Sequence, residues 1–191
     1  MGARQTSRDG RAYSLAIGRH QRVVMTIIPS NNVDITSSNL REVMSNYLTG
    51  VTIVTVTKPD GMPYGLTVNS FNSVSLTPPL ILWSLDNKNL NLGLFKNTAG
   101  FAINIMAADQ TDLCRRFAGK DGDRFVGVDW TFGTSGQPLI MHALAHLECR
   151  PWQTYAGGDH TIFVGEVMHA QHLSNRPAAA FFKGQLGHYE S

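Results

Sequence analysis

Val51-Thr52-Ile53-Val54-Thr55-Val56-Thr57 carries a β-branched side chain at every position. Such residues are stiff at χ1 and pack well on a pleated surface, so the stretch must be a strand. Working outward, Pro59-Asp60-Gly61 turns the chain and Tyr64 to Leu76 reads as a second extended segment that Pro78-Pro79 breaks. Leu80 to Leu85 is continuously apolar and predicts a fully buried strand; a short helix around Leu90 to Lys96 and a strand at Phe101 to Ile105 follow. Upstream, Asn39 is placed as N-cap of a helix with Glu42 reaching back, and Leu40, Val43, Met44, Tyr47 and Leu48 take the spacing of one buried face that Gly50 ends. Downstream, Asp109 caps a helix sharing Leu113, Cys114 and Phe117 on a face, and Gly119 to Gly136 reads as a long loop. Leu144 to Cys149 alternates as a strand, Ala156 to His160 is a glycine-rich hairpin tip before Thr161 to Val167, and Ala180 to Phe182 is a last strand. Many strands against three short helices predict a mainly β fold, a β-barrel with peripheral helices.

The chain has 191 residues, 16 Lys+Arg against 14 Asp+Glu, and only 16% charged residues. Average soluble chains carry about 25% charged residues. This argues against disorder, and a net charge of +2 is too small for a nucleic-acid surface. Cys114 and Cys149 form no CxxC and no disulfide framework, and no apolar run is long enough to span a membrane. The expectation is a soluble, cytoplasmic domain at residues 35–191. Residues 1–34 precede it, with Arg4, Arg8, Arg11, Arg19 and Arg22 against Asp9 by Arg22. They read as a flexible basic tail; a transit peptide and an upstream start ahead of Met25 are the alternatives.

Familiar catalytic signatures are missing. There is no GxGxxG, GKS/GKT, GxSxG or HExxH. His142 and His146 stand four apart on a strand-like pattern that separates them, so no metal site is expected. Both cysteines fall on apolar patterns and read as inert core thiols.

Three stretches instead hold polar groups where a plain barrel needs none. Gly65-Leu66-Thr67-Val68-Asn69-Ser70-Phe71-Asn72-Ser73 sets neutral donors and acceptors among large apolar residues. This suits a flat, polar-edged ligand, and equally a half-exposed strand whose Ser and Thr face water. Phe101 to Met106 runs into Gln110, Leu113, Arg116 and Phe117, and Gly157-Gly158-Asp159-His160 leads into Thr161 to Val167. Asp159-His160 could orient a substrate, or be an ordinary turn beside a solvated histidine.

In this order the stretches GLTVNSFNSVSLTPP, FAINIM and GDHTIFVGEV, with NYLTGVTIVT ahead of them, resemble the flavin reductase-like family over about Leu40 to Gly184. The resemblance implies a split β-barrel homodimer with flavin, FMN or FAD, in a groove at the interface. It implies hydride transfer from NADH or NADPH to flavin N5, supplying reduced flavin to a partner flavin-dependent monooxygenase. By the match, Gly65, Leu66, Thr67, Asn69 and Ser70 line the flavin, and Ser84, Leu85 and Asp86 continue the wall. Asn91, Arg116 and Phe117 reach the phosphate end, Lys183 takes a place where the family often has Arg, and His160 with Asp159 meets the nicotinamide. The cofactors carry the hard chemistry, so the protein stacks two rings and offers donors such as Thr67 and Asn69 to developing negative charge. Val68, Leu90 and the ending Gln185 to Tyr189 depart from the family pattern. An FMN-holding electron carrier without pyridine-nucleotide activity, or a split barrel for a haem-like or pyridoxal-type ligand, are the competing readings.

Overall fold

The structure is a computed structural model and describes residues 12–16, 22–26, 35–119 and 122–189. The chain divides into two compact units, Met1–Leu40 and Arg41–Ser191. In the first, β1 (Ala12–Ala16) pairs antiparallel with β2 (Arg22–Thr26), so a hairpin lies within the segment expected to be a tail. The rest of that expectation falls outside the described residues.

Helix α1 (Ser37–Met44) begins two residues before the expected cap Asn39. Thr36 and Asn39 bond reciprocally, Thr36 N–H donating to Asn39 Oδ1 at 2.7 Å and Asn39 N–H donating to Thr36 Oγ1 at 3.2 Å. Thr36 is therefore the cap and Asn39 the residue that reaches back. The helix ends at Met44, and Gly50 lies instead in the two-residue strand β3 (Thr49–Gly50). The apolar face read as buried is exposed: Leu40, Val43, Met44, Tyr47 and Leu48 are 47–67% accessible.

A seven-stranded antiparallel sheet organises the second unit. Its strands are β4 (Thr52–Thr57), β5 (Pro63–Val68), β6 (Asn72–Leu76), β7 (Pro79–Asp86), β8 (Phe101–Ile105), β11 (Ala145–Gly157) and β12 (His160–His172). Helix α2 (Leu92–Lys96) joins β7 to β8, a short 3₁₀ turn and α3 (Thr111–Ala118) follow β8, and β9 (Trp130–Phe132) pairs with β10 (Pro138–Ile140). The order across the sheet is β5-β4-β8-β11-β12-β7-β6. The expected single extension from Tyr64 to Leu76 is thus two strands on opposite edges, with Asn69–Phe71 crossing between them. The sheet does not close, since β5 and β6 share no ladder. A small sheet of β14 (Gln185–Tyr189), β13 (Ala178–Phe182) and β3 lies beside it, and β14 was not anticipated.

Alternation along β4 sends Val54 and Val56 into one core and Val51 and Ile53 into a second. The first is aromatic: Trp83 stacks on Phe163 at 4.5 Å, with Phe95 and Phe101 edge-on. β7 is not buried throughout as its composition suggested. Ile81, Trp83 and Leu85 face inward while Leu80, Leu82 and Ser84 on the other face are half-buried. The second core is tied by fully buried Asn104, which donates to Ile53 O at 3.0 Å and Thr55 Oγ1 at 3.1 Å and accepts from Ile140 N–H at 2.8 Å. The long loop after α3 is anchored by Glu148, which accepts from Thr134 N–H, Ser135 N–H and the Ser135 hydroxyl. Burial raises its pKa, but those three donors, together with His169, outweigh burial and hold it below the usual carboxylate range.

Candidate active site

β5 ends and the crossing Asn69–Phe71 begins where β7 leaves the core, and α3 packs beneath. Between them lies a hollow of about 320 Å³ lined by Leu66, Thr67, Asn69, Ser70, Ser84, Leu85, Asp86, Phe117 and His160, together with Val68, Asn89 and Arg124. Most of the residues expected in a site are therefore brought to one place from four separate elements. Two neighbouring hollows share its walls. Asn69 and Ser70 also line a cavity of about 1000 Å³ with Tyr47, Phe71, Phe181 and Lys183. Arg124 also lines one of about 450 Å³ with Tyr64, Gly65 and Asn91. Small-molecule sites occupy roughly 300–1,000 Å³.

The polar groups divide into committed and free. Ser70 Oγ donates to Ser84 O at 3.2 Å and accepts Ser84 N–H at 3.0 Å, fastening the crossing to β7. Thr67 Oγ1 donates to Cys114 O at 2.8 Å, tying β5 to α3. Its single proton is spent there, so the expectation that its side chain donates to a ligand is corrected. Asn69 has no such bond among the described residues, and its exposed amide stands at the groove. Gly65 admits no side chain: a Cβ would stand 2.9 Å from Phe117 Cε1 and 3.0 Å from Thr55 Cγ2. It lets β5 lie against α3.

His160 opens β12 opposite Asp86 of β7, directly after the two-residue turn Gly158-Asp159. Gly158 takes φ +69°, as a turn with glycine at its first central position requires. His160 Nδ1 lies 2.7 Å from Asp159 Oδ1. That bond and the charge of the imidazole hold the Asp159 carboxyl below its ordinary pKa. With Nδ1 so engaged, Nε2 has no partner among the described residues and is available to the hollow.

Arg116 does not join this groove. It donates to Val126 O at 2.9 Å and lines a separate hollow with Gln110 and His142. Arg124 stands where Arg116 was expected. It donates to Gly65 O at 2.6 Å, Tyr64 Oη at 3.2 Å and Gly119 O at 2.5 Å, with its guanidinium 5.3 Å over the Tyr64 ring. All its partners are neutral, so its charge is uncompensated by an ion pair among the described residues. No local pattern distinguished Arg124 from Arg116; only the fold of the loop does. Lys183 sits at φ +48°, its N–H bonded to Ser45 O at 2.9 Å, with its ammonium over Phe182. His142 lies in the turn before β11 at φ +62°, not on the strand, and His146 is buried with Nε2 2.8 Å from Ile140 O.

The groove fits a flavin in kind. It is lined chiefly by neutral polar and apolar groups, and Thr49 Oγ1, buried in the wall of the larger cavity, has no partner among the described residues. Residues 44–190 match the family model of the flavin reductase like domain. The FMN reductase (NADH) of Agrobacterium fabrum is 42% identical over 153 residues, covering 80% of this chain and 86% of that protein. The flavin-dependent monooxygenase reductase subunit HsaB of Rhodococcus jostii is 34% identical over 145 residues, covering 76% and 74%. The NADH:FAD oxidoreductase of Streptomyces globisporus, solved with NAD and FAD fragments, superposes at TM-score 0.76 with 40% identity, covering 80% of this chain and 92% of that one.

Proposed function

The chain belongs to the flavin reductase like domain family, and from that premise we propose that it reduces FMN or FAD with NADH and supplies the reduced flavin to a partner monooxygenase. The observation that carries the reading is the arrival of His160, with a free Nε2, in the same hollow as the free Asn69 amide and the Ser70–Ser84 wall. An FMN-holding carrier without pyridine-nucleotide activity is not favoured, since the relatives are NADH-dependent reductases.

When bound, nicotinamide supplies a hydride and the flavin ring accepts it. The chain's own residues supply position and electrostatics. The Ser70–Ser84 pair holds one wall still, Leu66, Leu85 and Phe117 give apolar surface for a ring, and Asn69 is the side chain free to donate where negative charge develops. His160 Nε2 binds the hydride donor, with Asp159 fixing the ring. Arg124, next to Asn91, is the cation for a phosphate, and Lys183 closes the opposite end. No group need move a proton.

The open seven-stranded sheet with its side sheet is a split barrel on this reading, and two copies form the working unit. The exposed Val43, Met44, Tyr47 and Leu48, bordering the 1000 Å³ cavity, support a dimer in which the second copy covers the flavin. A cytoplasmic location is supported by the use of NADH and by two free thiols. Among the described residues no helix is long and apolar enough to cross a membrane.

Mixing protein, flavin and NADH without oxygen should bleach the oxidised flavin absorbance at a rate proportional to protein. Absence of bleaching with FMN and with FAD would remove the reading.

A further inference from the structure

The two-residue turn carrying Asp159 projects into solvent at the end of the β11–β12 hairpin. An exposed hairpin tip is an unsteady mount for a ligand-contacting ring; the β12–β7 ladder holds this one as far as His160 opposite Asp86, and beyond it the turn is braced by Asn87. Asn87, the first residue beyond β7, donates its N–H to Asp159 O at 2.9 Å. Its Nδ2 donates to Gly158 O at 3.2 Å, and its Oδ1 accepts from Thr161 Oγ1 at 2.7 Å. Thr161 is itself buried. Residues 158, 159 and 161 are thereby all held by Asn87, which fixes the backbone on both sides of His160, whose ring lines the hollow.

Asn87 is in turn held in place. Asp86 accepts Lys88 N–H on its carboxylate at 2.7 Å and Asn89 N–H on its carbonyl at 2.9 Å, so the chain around Asn87 is a closed turn. The chemistry requires an amide: one end must donate to a carbonyl while the other accepts from a hydroxyl. A carboxylate would face the Gly158 carbonyl with a lone pair, and an aliphatic side chain would satisfy neither partner.

We propose that Asn87 is a positioning residue for His160: it ties the end of β7 to the hairpin tip and so sets where the imidazole meets the hydride donor. This rests on the reading that His160 contacts the nicotinamide. Asn87 itself touches no reactant. It binds the turn through the side chain as well as the backbone, and the side-chain part is what substitution removes.

The test is steady-state kinetics of the full chain with NADH and FMN varied separately, on Asn87→Ala, Asn87→Asp, His160→Ala and the His160→Ala double variants. Asn87→Ala should raise KM for NADH roughly tenfold, the loss expected when two neutral hydrogen bonds holding a contact group are removed. KM for FMN should change little. Asn87→Asp should resemble Asn87→Ala. In the His160→Ala background the Asn87 substitution should add nothing, because coupled residues are non-additive. A full multiplicative effect there, or an equal rise in both KM values, would overturn the proposal. If His160→Ala alone leaves KM for NADH unchanged, the nicotinamide reading fails instead. Asn87 is then judged by imidazole NMR, where Asn87→Ala should move the His160 ring resonances at fixed pH and unmoved resonances overturn the proposal.

Discussion

Replacing Ser70 by Ala tests how the groove wall is made. The β6–β7 ladder stops at Asn72 opposite Leu82, so beyond it β7 has no strand on that side. The Ser70 hydroxyl takes the missing strand's part, accepting Ser84 N–H and donating to Ser84 O. Ala leaves both backbone groups unmatched. Each neutral hydrogen bond contributes about 0.5–1.5 kcal/mol, and the half-open site admits water, so the expected loss is about 1–2 kcal/mol in urea unfolding. The crossing Asn69–Phe71 then hangs free, and a bound flavin must order it. The same 1–2 kcal/mol should reappear as roughly 5–30-fold weaker flavin binding in a fluorescence titration. Ser70→Thr, which keeps the hydroxyl, should bind nearly as the parent does. If Ser70→Ala loses stability but binds flavin within twofold, the crossing is not the wall of the site. If stability is unchanged, water replaces the hydroxyl and the argument fails at its first step.

Glu148→Gln should cost about 1–3 kcal/mol at neutral pH, since its amide NH₂ opposes a backbone donor. The native carboxyl has a depressed pKa, so its contribution is complete above the ordinary value near 4.3 and is lost as pH falls below it; urea midpoints should therefore fall with acid more steeply in the parent than in the variant. Gly165→Ala should lower stability by about 1–3 kcal/mol by calorimetry, because the new methyl would overlap the Phe101 ring and stand 3.2 Å from Cys149 Cβ. Tyr47→Glu, on the exposed face of the α1 region, should raise the dissociation constant of the proposed dimer at least about 30-fold by sedimentation, on the scale of a buried aromatic anchor of about 2 kcal/mol. Arg124→Ala should weaken binding of phosphate-bearing FMN at least about threefold more than that of riboflavin, on the scale of one charge-assisted bond.

Strands with strong local chemistry were legible. The β-branched run of β4, the apolar β8 and the glycine tip between β11 and β12 all carry their structure in adjacent residues. Features set by distant partners were not. Nothing between Tyr64 and Leu76 reports that the chain changes sheet edge at Asn69, because that depends on where β7 and β4 lie. β14 was unread because Gln185-Leu186-Gly187-His188 has no clear alternation and owes its conformation to pairing with β13. The apolar stripe Val43, Met44, Tyr47, Leu48 was legible as a stripe, but its direction was not. For the site, residue types and their stretches were readable because neutral polar groups in apolar strands are unusual. Which hydroxyls are already engaged, and which arginine turns toward the groove, needed three dimensions: Thr67 is consumed by Cys114 O, and Arg124 rather than Arg116 arrives.

Strand β11 changes status along its length. From Ala145 to Cys149 it has β8 on one flank and β12 on the other; from Arg150 to Gly157 it has, among the described residues, β12 alone. Eight residues of one-sided ribbon are a standing invitation to any foreign extended chain. The invitation is withdrawn by small means. Pro151 deletes a donor from the row, the register slips between Pro151 and Gln153 so that the spacing of the rest is skewed, and Arg150 adds charge beside it, paired to Glu166 at 2.6 Å. Each of these interrupts the even row of backbone groups that an added strand would need.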